Sequence, residues 1–204
     1  MIIKTKYKLC RRLGVGLFEK CQTQKFTLSE AKKSANKRST KRRKMVSEYG
    51  AQLIEKQKLR FAYGLREKQL SRYVKEAMLK KDSNIIQGLY IRLETRLDNV
   101  VYKLGLGSTR AMSRQIVSHG HILLNGKRVT IPSCEVKVGD IISIRKGSEN
   151  KMIFAELKEK GKNSALVSWL NFDLAKKEGK MIGLPKLESQ GVFDFKSILE
   201  FYGR

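Results

Sequence analysis

The chain has 204 residues, of which 44 are lysine or arginine and 19 are aspartate or glutamate, so its formal charge is +25. With 41% hydrophobic residues it can fill a core, which excludes wholesale disorder and allows one large domain or two small ones. So strong a positive field favours a polyanionic partner, and nucleic acid is the first expectation.

The first twenty residues contain no apolar run long enough for a signal peptide or a membrane span. We therefore expect a cytoplasmic protein without a membrane partner. Cys10, Cys21 and Cys134 are odd in number and have no paired spacing, so free thiols are expected. A zinc site needs about four clustered nitrogen or sulfur ligands. Because only two cysteines lie near one another, neither a metal nor a cofactor is expected.

Residues 1–45 are the most cationic part of the chain and the least periodic. No acidic residue occurs between Glu30 and Glu48, and few apolar residues are available there to offset the loss of chain entropy. This composition predicts a basic, irregular N-terminal arm. A solvated tail would carry the same charges, but the equally basic region that follows favours an arm that orders on an anionic surface.

Two helices are predicted between residues 46 and 81. The first, SEYGAQLIEKQKLRFAYG, has Gly64 as its stop signal. The second, LREKQLSRYVKEAMLKK, has apolar residues at helical spacing, and these form one stripe. Its cations Arg66, Lys68 and Arg72 lie off that stripe. A solvated face explains them about as well as RNA contact does, and their single sign favours contact.

Helical spacing resumes after Asn84 and continues to Leu104, as one helix or as two that meet near Glu94. Gly105 and Gly107 end this stretch, since glycine adopts a left-handed cap without steric cost.

The next helix is predicted over TRAMSRQIVSH, with Ser108 or Thr109 as its cap and Gly120 as its end. Two arginines four residues apart, Arg110 and Arg114, project from the side of this helix that does not face the core.

A small antiparallel sheet is predicted after this helix. Asn125-Gly126 is a strong hairpin signal between a short apolar strand and a return strand that ends before Pro132. A further strand is predicted within VKVGDIISIR, with its bend at Gly139-Asp140. The order helix, helix, small sheet therefore forms a unit.

The pattern after Gly147 is weaker. The segment MIFAELKEKGK is compatible with a helix, and the single tryptophan, Trp169, is expected to dock against the sheet. Residues 176–186 are glycine-rich and predict an exposed loop. The final stretch, FDFKSILEFYGR, is apolar and aromatic, so it is expected to pack back onto the helices of residues 46–81 rather than fray.

The helix–helix–sheet unit concentrates hydrogen-bond donors that suit phosphate, because guanidinium groups bind phosphate through two parallel bonds. Each residue alone is more simply explained as a solvated or structural side chain, and Asp98 is the expected partner of Arg96 or Arg110. Taken together, nine cationic or amide positions within thirty-three residues favour RNA contact. They are Arg96, Asn99, Lys103, Arg110, Arg114, His119, His121, Lys127 and Arg128.

Catalysis finds little support in the sequence. Ser118-His119 and His121 form no recognisable triad, and no phosphate-binding glycine motif is present. The acidic residues are scattered without a pair suited to acid–base chemistry. Two alternatives stay open: an rRNA-modifying or tRNA-charging enzyme that carries the same RNA-binding unit, and a free ribosome-associated stress factor.

The stretch RLDNVVYKLGLGSTRAMSRQIVSHGHILLNGKRVTIPS, followed by VGD, closely resembles the signature of the family of small-subunit ribosomal protein four. The resemblance extends to YKLCRRLGVGLF near the start, to SEYGAQLIEKQKLRFAYGLREKQLSRYVKEA, and to the closing ILEFYGR, all in the family's order. It covers essentially the whole chain.

This resemblance implies a structural protein that binds the 5′ domain of small-subunit rRNA and nucleates assembly of the subunit body. It also implies contacts with ribosomal proteins three and five around the place where mRNA enters, and an influence on decoding accuracy. The family's mRNA-facing basic residues correspond to Arg42, Arg43 and Lys44. Further rRNA-binding candidates are Arg11 and Arg12.

The resemblance also implies an α+β fold with an inserted domain. A helical domain is expected at 46–92 plus 173–204, the inserted RNA-binding domain at 93–172, and the basic arm at 1–45.

Some family members carry four zinc-binding cysteines near the N-terminus. Here Cys10 matches one of them, while Tyr7, Gln24 and Ser29 occupy the other three positions, so the metal is not carried over.

Overall fold

The computed structural model describes residues 5–36, 47–80, 84–149, 151–155, 167–173, 176–187 and 193–203. Within these ranges the chain is α+β, as expected, with helices and one antiparallel sheet. It forms two compact units. The first comprises Met1–Lys80 with Ser189–Arg204, and the second comprises Lys81–Glu188. None of the helices in the described ranges combines the length and the apolarity needed to cross a membrane.

The N-terminal segment is helical over its described residues, so the prediction of an irregular arm is wrong there. Helix α1 spans Lys6–Leu13, a 3₁₀ turn spans Glu19–Cys21, and α2 spans Gln24–Asn36. Cys10 and Leu13 share one face of α1 and are both buried. These few apolar positions are enough to anchor a helix whose other residues are mostly cationic.

Helices α3 (Glu48–Ala62) and α4 (Glu67–Leu79) confirm the two helices predicted for the middle region. The Ser47 side chain caps α3 by accepting a hydrogen bond from the backbone N–H of Gly50 at 3.2 Å. Three members of the predicted apolar stripe are buried on α4. They are Leu70, Tyr73 and Val74.

Three helices open the second unit: α5 (Ile85–Glu94), α6 (Leu97–Lys103) and α7 (Arg110–Ser118). The long apolar stripe is therefore two helices rather than one. The side chains of Asn84 and Thr109 accept hydrogen bonds from backbone N–H groups in the first turns of α5 and α7, both at 3.1 Å. Helices α5 and α7 thus begin at a polar cap.

The sheet has five strands, each antiparallel to its neighbours, in the order β2-β1-β3-β5-β4. Asn125 and Gly126 join β1 to β2 with φ values of 50° and 77°, as a two-residue hairpin turn requires. The predicted hairpin and the strand after Gly139 are both confirmed. The strands are β1 (Ile122–Leu124), β2 (Lys127–Arg128), β3 (Ile141–Ile144), β4 (Leu170–Asp173) and β5 (Glu178–Met181).

Two short helical segments follow β3. They are a 3₁₀ turn over Lys146–Ser148 and helix α8 over Met152–Ala155. The predicted helix in MIFAELKEKGK is thus confirmed at its start, and the rest of that stretch lies outside the described residues.

The C-terminal helix α9 (Phe195–Gly203) packs on α3 and α4, which confirms the predicted return of the tail. Glu200 Oε2 accepts a hydrogen bond from Gln52 Nε2 at 3.2 Å. The Tyr202 hydroxyl donates to Glu67 Oε1 at 2.7 Å. These bonds hold a terminus that would otherwise fray.

One apolar cluster joins the helices to the sheet in the second unit. It contains side chains from α6, α7, β1, β3, β4 and β5, including the fully buried Leu97, Val100 and Ile142. Trp169 belongs to this cluster and is buried, as the sequence predicted. The helices that carry Asn99 and Arg110 are thereby fixed relative to the sheet.

The predicted exposed loop at 176–186 is wrong in its centre, where β5 lies between β3 and β4. A Cβ at Gly179 would lie 2.5 Å from Leu104 Cδ1, so the absence of a side chain lets α6 approach the strand closely. A glycine-rich, lysine-rich stretch gives no alternating apolar pattern. Its role as a strand is therefore hidden in the sequence.

The two compact units divide the chain differently from the expected boundaries at 92/93 and 172/173. Pairing of β5 with β3 extends the second unit beyond residue 173. The side chain of Gln87 on α5 also donates to the Pro185 carbonyl at 2.7 Å. These two contacts place α5 and the segment 173–187 in the second unit. Residues 5–36, which were expected to form a separate arm, belong to the same unit as α3 and α4.

Candidate nucleic-acid interface

Arg96 and Asp98 form a buried ion pair at the start of α6. Arg96 Nε donates to Asp98 Oδ1 at 3.0 Å and Arg96 Nη2 donates to Oδ2 at 2.7 Å. The two side chains are only 2% and 7% exposed. Arg96, which the sequence suggested as an rRNA-binding residue, is therefore a structural residue in this conformation. The expectation that Asp98 pairs with it is confirmed.

Asn99 is also buried, so it does not present its amide at the surface. Its Nδ2 donates to the Glu94 carbonyl oxygen at 3.0 Å and to Glu94 Oε2 at 2.9 Å. Its Oδ1 accepts from Arg110 Nε at 2.9 Å. Since a buried amide with both ends bonded is rigid, Asn99 acts as a brace that orients Arg110.

Arg110 and Arg114 lie one turn apart on α7 and are both partly exposed. Each also contacts a buried residue of α6. The Arg110 guanidinium lies over the Tyr102 ring, 4.7 Å from its centroid. Arg114 Nη1 is 3.5 Å from Asp98 Oδ2, and its side chain is 30% exposed. Two guanidinium groups are thus positioned by interior contacts, which lowers the entropy that binding would cost.

The hairpin tip adds exposed cations to this unit. Lys127 and Arg128 are both exposed on β2, and Lys103 at the end of α6 is partly exposed. Arg128 Nη2 donates to the His119 carbonyl oxygen at 3.5 Å. The Arg128 side chain therefore reaches back to the C-terminal end of α7.

The two histidines differ in environment although their rings lie 6.0 Å apart. His119 is exposed, whereas His121 is buried and its Nδ1 is 2.9 Å from Ser148 Oγ. Burial lowers the pKa of His121, and the nearby positive charges of Lys151, His119, Arg145 and Arg128 lower it further. His121 is thus neutral near pH 7 and acts as an interior strut.

The remaining candidates lie in the first unit. Arg12, Arg66 and Lys68 are exposed. Arg11 pairs with Glu30, with Nε and Oε1 2.6 Å apart, and Arg72 Nε is 3.5 Å from Glu76 Oε1. The predicted mRNA-facing residues lie outside the described residues. They are Arg42, Arg43 and Lys44.

Two functional candidates, Arg145 and Lys151, were missed by the sequence analysis. Both lie beyond the end of β3. The pairing of Ile122 with Ile144 places Arg145 beside His121, and Lys151 is bonded through its N–H to the carbonyl of Ser148, whose hydroxyl contacts His121. His121 directly precedes β1 and Arg145 directly follows β3, so antiparallel pairing of these two strands in the right register would have suggested that the residues are neighbours. A single sequence does not supply that register.

Cys10 and Cys21 are buried together at the N-terminal end of the chain. Burial raises the pKa of Cys21 to about 12, and a hydrogen bond with the Cys10 side chain adds to the effect. A zinc ligand must be a thiolate, and this environment disfavours one. In the described part of the chain no three His, Cys, Asp or Glu side chains are grouped to hold a metal ion.

Comparison with known protein families gives two matches that together span residues 2–142. Residues 2–94 match the ribosomal protein S4/S9 N-terminal domain, and residues 95–142 match the S4 domain.

Curated relatives match along nearly the whole chain, and each is named small ribosomal subunit protein uS4. The protein of Limosilactobacillus fermentum is 43% identical over 202 residues, covering 97% of this chain and 96% of the relative. That of Ligilactobacillus salivarius is 44% identical over 206 residues, with the same coverage. That of Ruminiclostridium cellulolyticum is 43% identical over 187 residues, covering 89% of this chain and 88% of the relative.

Proposed function

The chain belongs to the family of small ribosomal subunit protein uS4, and from that membership we propose that it binds the 5′ domain of small-subunit rRNA directly. It is a structural component of the small ribosomal subunit with an S4 RNA-binding domain, and it is not an enzyme. We place it in the cytoplasm, within the ribosome.

The observation that supports direct rRNA binding best is the bracing of α7. Arg110 is fixed by the buried Asn99, and Arg114 by the buried Asp98. A-form RNA hides its base edges in a deep groove, so a protein recognises it mainly through backbone shape. Guanidinium groups held at fixed spacing on one helix suit that task, because they can bind phosphates without first being ordered.

A pair of double variants tests this role. Arg110→Ala with Arg114→Ala should weaken binding to a 5′-domain transcript about a hundredfold in a filter-binding assay, since each lost charged contact is worth about 1.5 kcal/mol. Circular dichroism should report a folded chain.

Arg92→Ala with Lys177→Ala is the matched control, because it removes the same charge from cations that Glu135 and Glu149 already neutralise. Equal weakening by the two double variants would reject a specific role for α7.

We further propose that this protein nucleates assembly of the subunit body. The support is the resemblance to the family and the presence of basic residues in both compact units. In reconstitution from purified components, omission of this chain should block later proteins from joining the 5′ domain. A subunit body that assembles normally without it would contradict the proposal.

A contribution at the place where mRNA enters is also proposed, with Arg42, Arg43 and Lys44 as the contacting residues and ribosomal proteins three and five as neighbours. The triple alanine variant should leave affinity for isolated rRNA nearly unchanged. It should reduce crosslinking of mRNA to this chain in assembled subunits and alter misreading of near-cognate codons. Unchanged crosslinking would contradict the assignment.

A further inference from the structure

Five cationic or titratable residues lie near one another where α7 joins the sheet, and we name them the corner cluster: His119, His121, Arg128, Arg145 and Lys151. Two backbone hydrogen bonds fix the segments that carry Arg145 and Lys151. Arg145 N–H donates to the His121 carbonyl at 2.9 Å, and Lys151 N–H donates to the Ser148 carbonyl at 3.1 Å. Ser148 Oγ in turn contacts His121 Nδ1, and Arg128 reaches the His119 carbonyl.

Within the described part of the chain, the cations of this cluster have no carboxylate partner. Arg145 Nε is buried and lacks a hydrogen-bond partner there. Glu149 is the acidic residue next to the cluster in sequence, and it pairs instead with Lys177 at 2.8 Å. Other cations of the same unit, Arg92 and Arg114, do have carboxylate partners.

His121 lies at the centre of this unpaired charge. Its ring is packed edge-on against Phe154, with the centroids 6.3 Å apart, and the residue is 6% exposed. The groups near it are Lys151, Arg145, Arg128 and the His119 ring, together with the Ser148 hydroxyl. Protonation of His121 in the free protein is therefore opposed by burial first and by this repulsion second.

We propose that the corner cluster binds a phosphate of the RNA backbone and that this binding is coupled to the uptake of a proton by His121. The inference rests on the proposed rRNA binding and adds two contact residues, Arg145 and Lys151, and a proton-linked step to it. A phosphate placed among these cations cancels their repulsion of a charged imidazole. The cationic form of His121 is then stabilised in the complex.

The sign of the pH dependence follows from linkage. The pKa of His121 is lowered in the free chain and raised again by the bound anion, so the complex holds more protons than the separate partners. Affinity therefore rises as the pH falls from about 7.5 towards 5.5, around the ordinary histidine value of about 6.5. Above about pH 7.5 His121 is neutral in the complex as well, so proton uptake no longer adds to the affinity.

The chain has only two histidines, which makes the test sharp. In a His119→Gln variant, His121 is the sole histidine left. That variant should bind a 5′-domain transcript about tenfold more tightly at pH 5.5 than at pH 7.5, because a shift of one pKa unit corresponds to a factor of ten. His119→Gln with His121→Gln should bind with nearly equal affinity at both values.

Calorimetry in buffers of different ionisation enthalpy should show proton uptake by the first variant and little by the second. A His119→Gln variant whose affinity does not depend on pH, or a double variant that keeps the dependence, would overturn the proposal. Failure of the unaltered chain to bind at pH 7.5 would instead reject the proposed rRNA binding itself.

Because His121→Gln changes the central residue of the cluster, a variant of its cations supplies an independent measurement. Arg145→Ala with Lys151→Ala should weaken binding at pH 7.5 at least tenfold more than the charge-matched Arg92→Ala with Lys177→Ala. Equal weakening by these two double variants would show that the corner cluster is not a phosphate site.

Discussion

Arg96 and Asp98 form a two-bond ion pair in the interior of the second unit, and the same carboxylate lies 3.5 Å from Arg114 Nη1 at the surface. Asp98 thus connects a buried guanidinium to a partly exposed one. The position of Arg114 on α7 depends on a charge that solvent scarcely reaches, since the Asp98 side chain is 7% exposed.

Asp98→Asn should therefore be strongly destabilising. The substitution keeps the size of the side chain but removes the carboxylate charge that makes two hydrogen bonds to the buried Arg96. Breaking a buried pair in this way costs about 3–5 kcal/mol. The free energy of unfolding from urea titration should fall by that amount, and rRNA affinity should fall as well because Arg114 loses its anchor.

Glu135→Gln is the matched control for Asp98→Asn. Glu135 pairs with Arg92 in the same unit, but the two side chains are 46% and 35% exposed. Exposed pairs contribute about 0–1 kcal/mol, so the control should change the free energy of unfolding little. Comparable losses in the two variants would show that burial does not govern the Arg96–Asp98 pair.

Gly120→Ala should reduce rRNA affinity about tenfold, which corresponds to one weakened bond to a charged group of about 1.5 kcal/mol. Gly120 has a φ of 68°, and a Cβ there would overlap the Arg128 guanidinium. The Arg128 side chain must then move away from the corner where it contacts His119. Filter binding at one fixed salt concentration measures the effect.

Gly126→Ala separates the displacement of Arg128 from backbone strain. Gly126 has a φ of 77°, but a Cβ added there would have no atom within 4 Å, so both alanine variants carry a left-handed strain of about 1–2 kcal/mol. The two variants should lose similar amounts of stability, but only Gly120→Ala should lose rRNA affinity. Equal rRNA affinities of the two variants would show that Arg128 does not contact the RNA.

Much of the fold could be predicted because it rests on local signals. The apolar stripe of α4, the return of the C-terminal tail and the Asn125-Gly126 hairpin all follow from periodicity, composition or turn chemistry. Each of these signals lies within about twenty residues of sequence. The strand β5 was missed because Gly179 serves a contact with Leu104, which no local pattern records.

The candidate site was harder to predict, because residue type does not reveal burial. Arginine and asparagine usually lie at the surface. Here Arg96 and Asn99 are buried, because they donate hydrogen bonds to Asp98 and Glu94 in the interior. Arg145 lies twenty-four positions after His121 and joins it only through the register of β1 and β3. Pattern therefore identified the RNA-binding unit, whereas the distinction between its exposed and its buried polar side chains depends on three-dimensional packing.

Binding to rRNA should depend steeply on salt. If about six to ten phosphates are engaged, affinity should fall roughly 10³- to 10⁵-fold between about 50 and 200 mM monovalent salt. The slope of log affinity against log salt should be smaller for Arg110→Ala with Arg114→Ala than for the unaltered chain, by about two phosphate contacts. An unchanged slope would mean that these arginines do not contact phosphate.

Alkylation should distinguish the three cysteines. Cys10 and Cys21 are buried, and burial together with a hydrogen bond between the two thiols raises the pKa of Cys21 to about 12, so almost none of it is thiolate at pH 8. Cys134 is partly exposed. Mass spectrometry after brief iodoacetamide treatment should find label on Cys134 first, and all three should react in urea. Early labelling of Cys21 in the native chain would contradict its burial.

Acid should weaken the attachment of the C-terminal helix through Glu67. Burial of this carboxyl opposes ionisation, but hydrogen bonds from Lys56 at 2.9 Å and Tyr202 at 2.7 Å outweigh it, and the pKa of Glu67 is lowered. A lowered pKa stabilises the fold above the unfolded value of about 4.3, and that stability is lost as the pH falls through the folded value.

Glu67→Gln should therefore lower the urea midpoint clearly at pH 6.5, and the difference in midpoint from the unaltered chain should close towards pH 3. Glu76→Gln, which removes an exposed partner of Arg72, should change the midpoint little at pH 6.5. A gap for Glu67→Gln that stays constant with pH would show that its ionised carboxylate does not hold the tail.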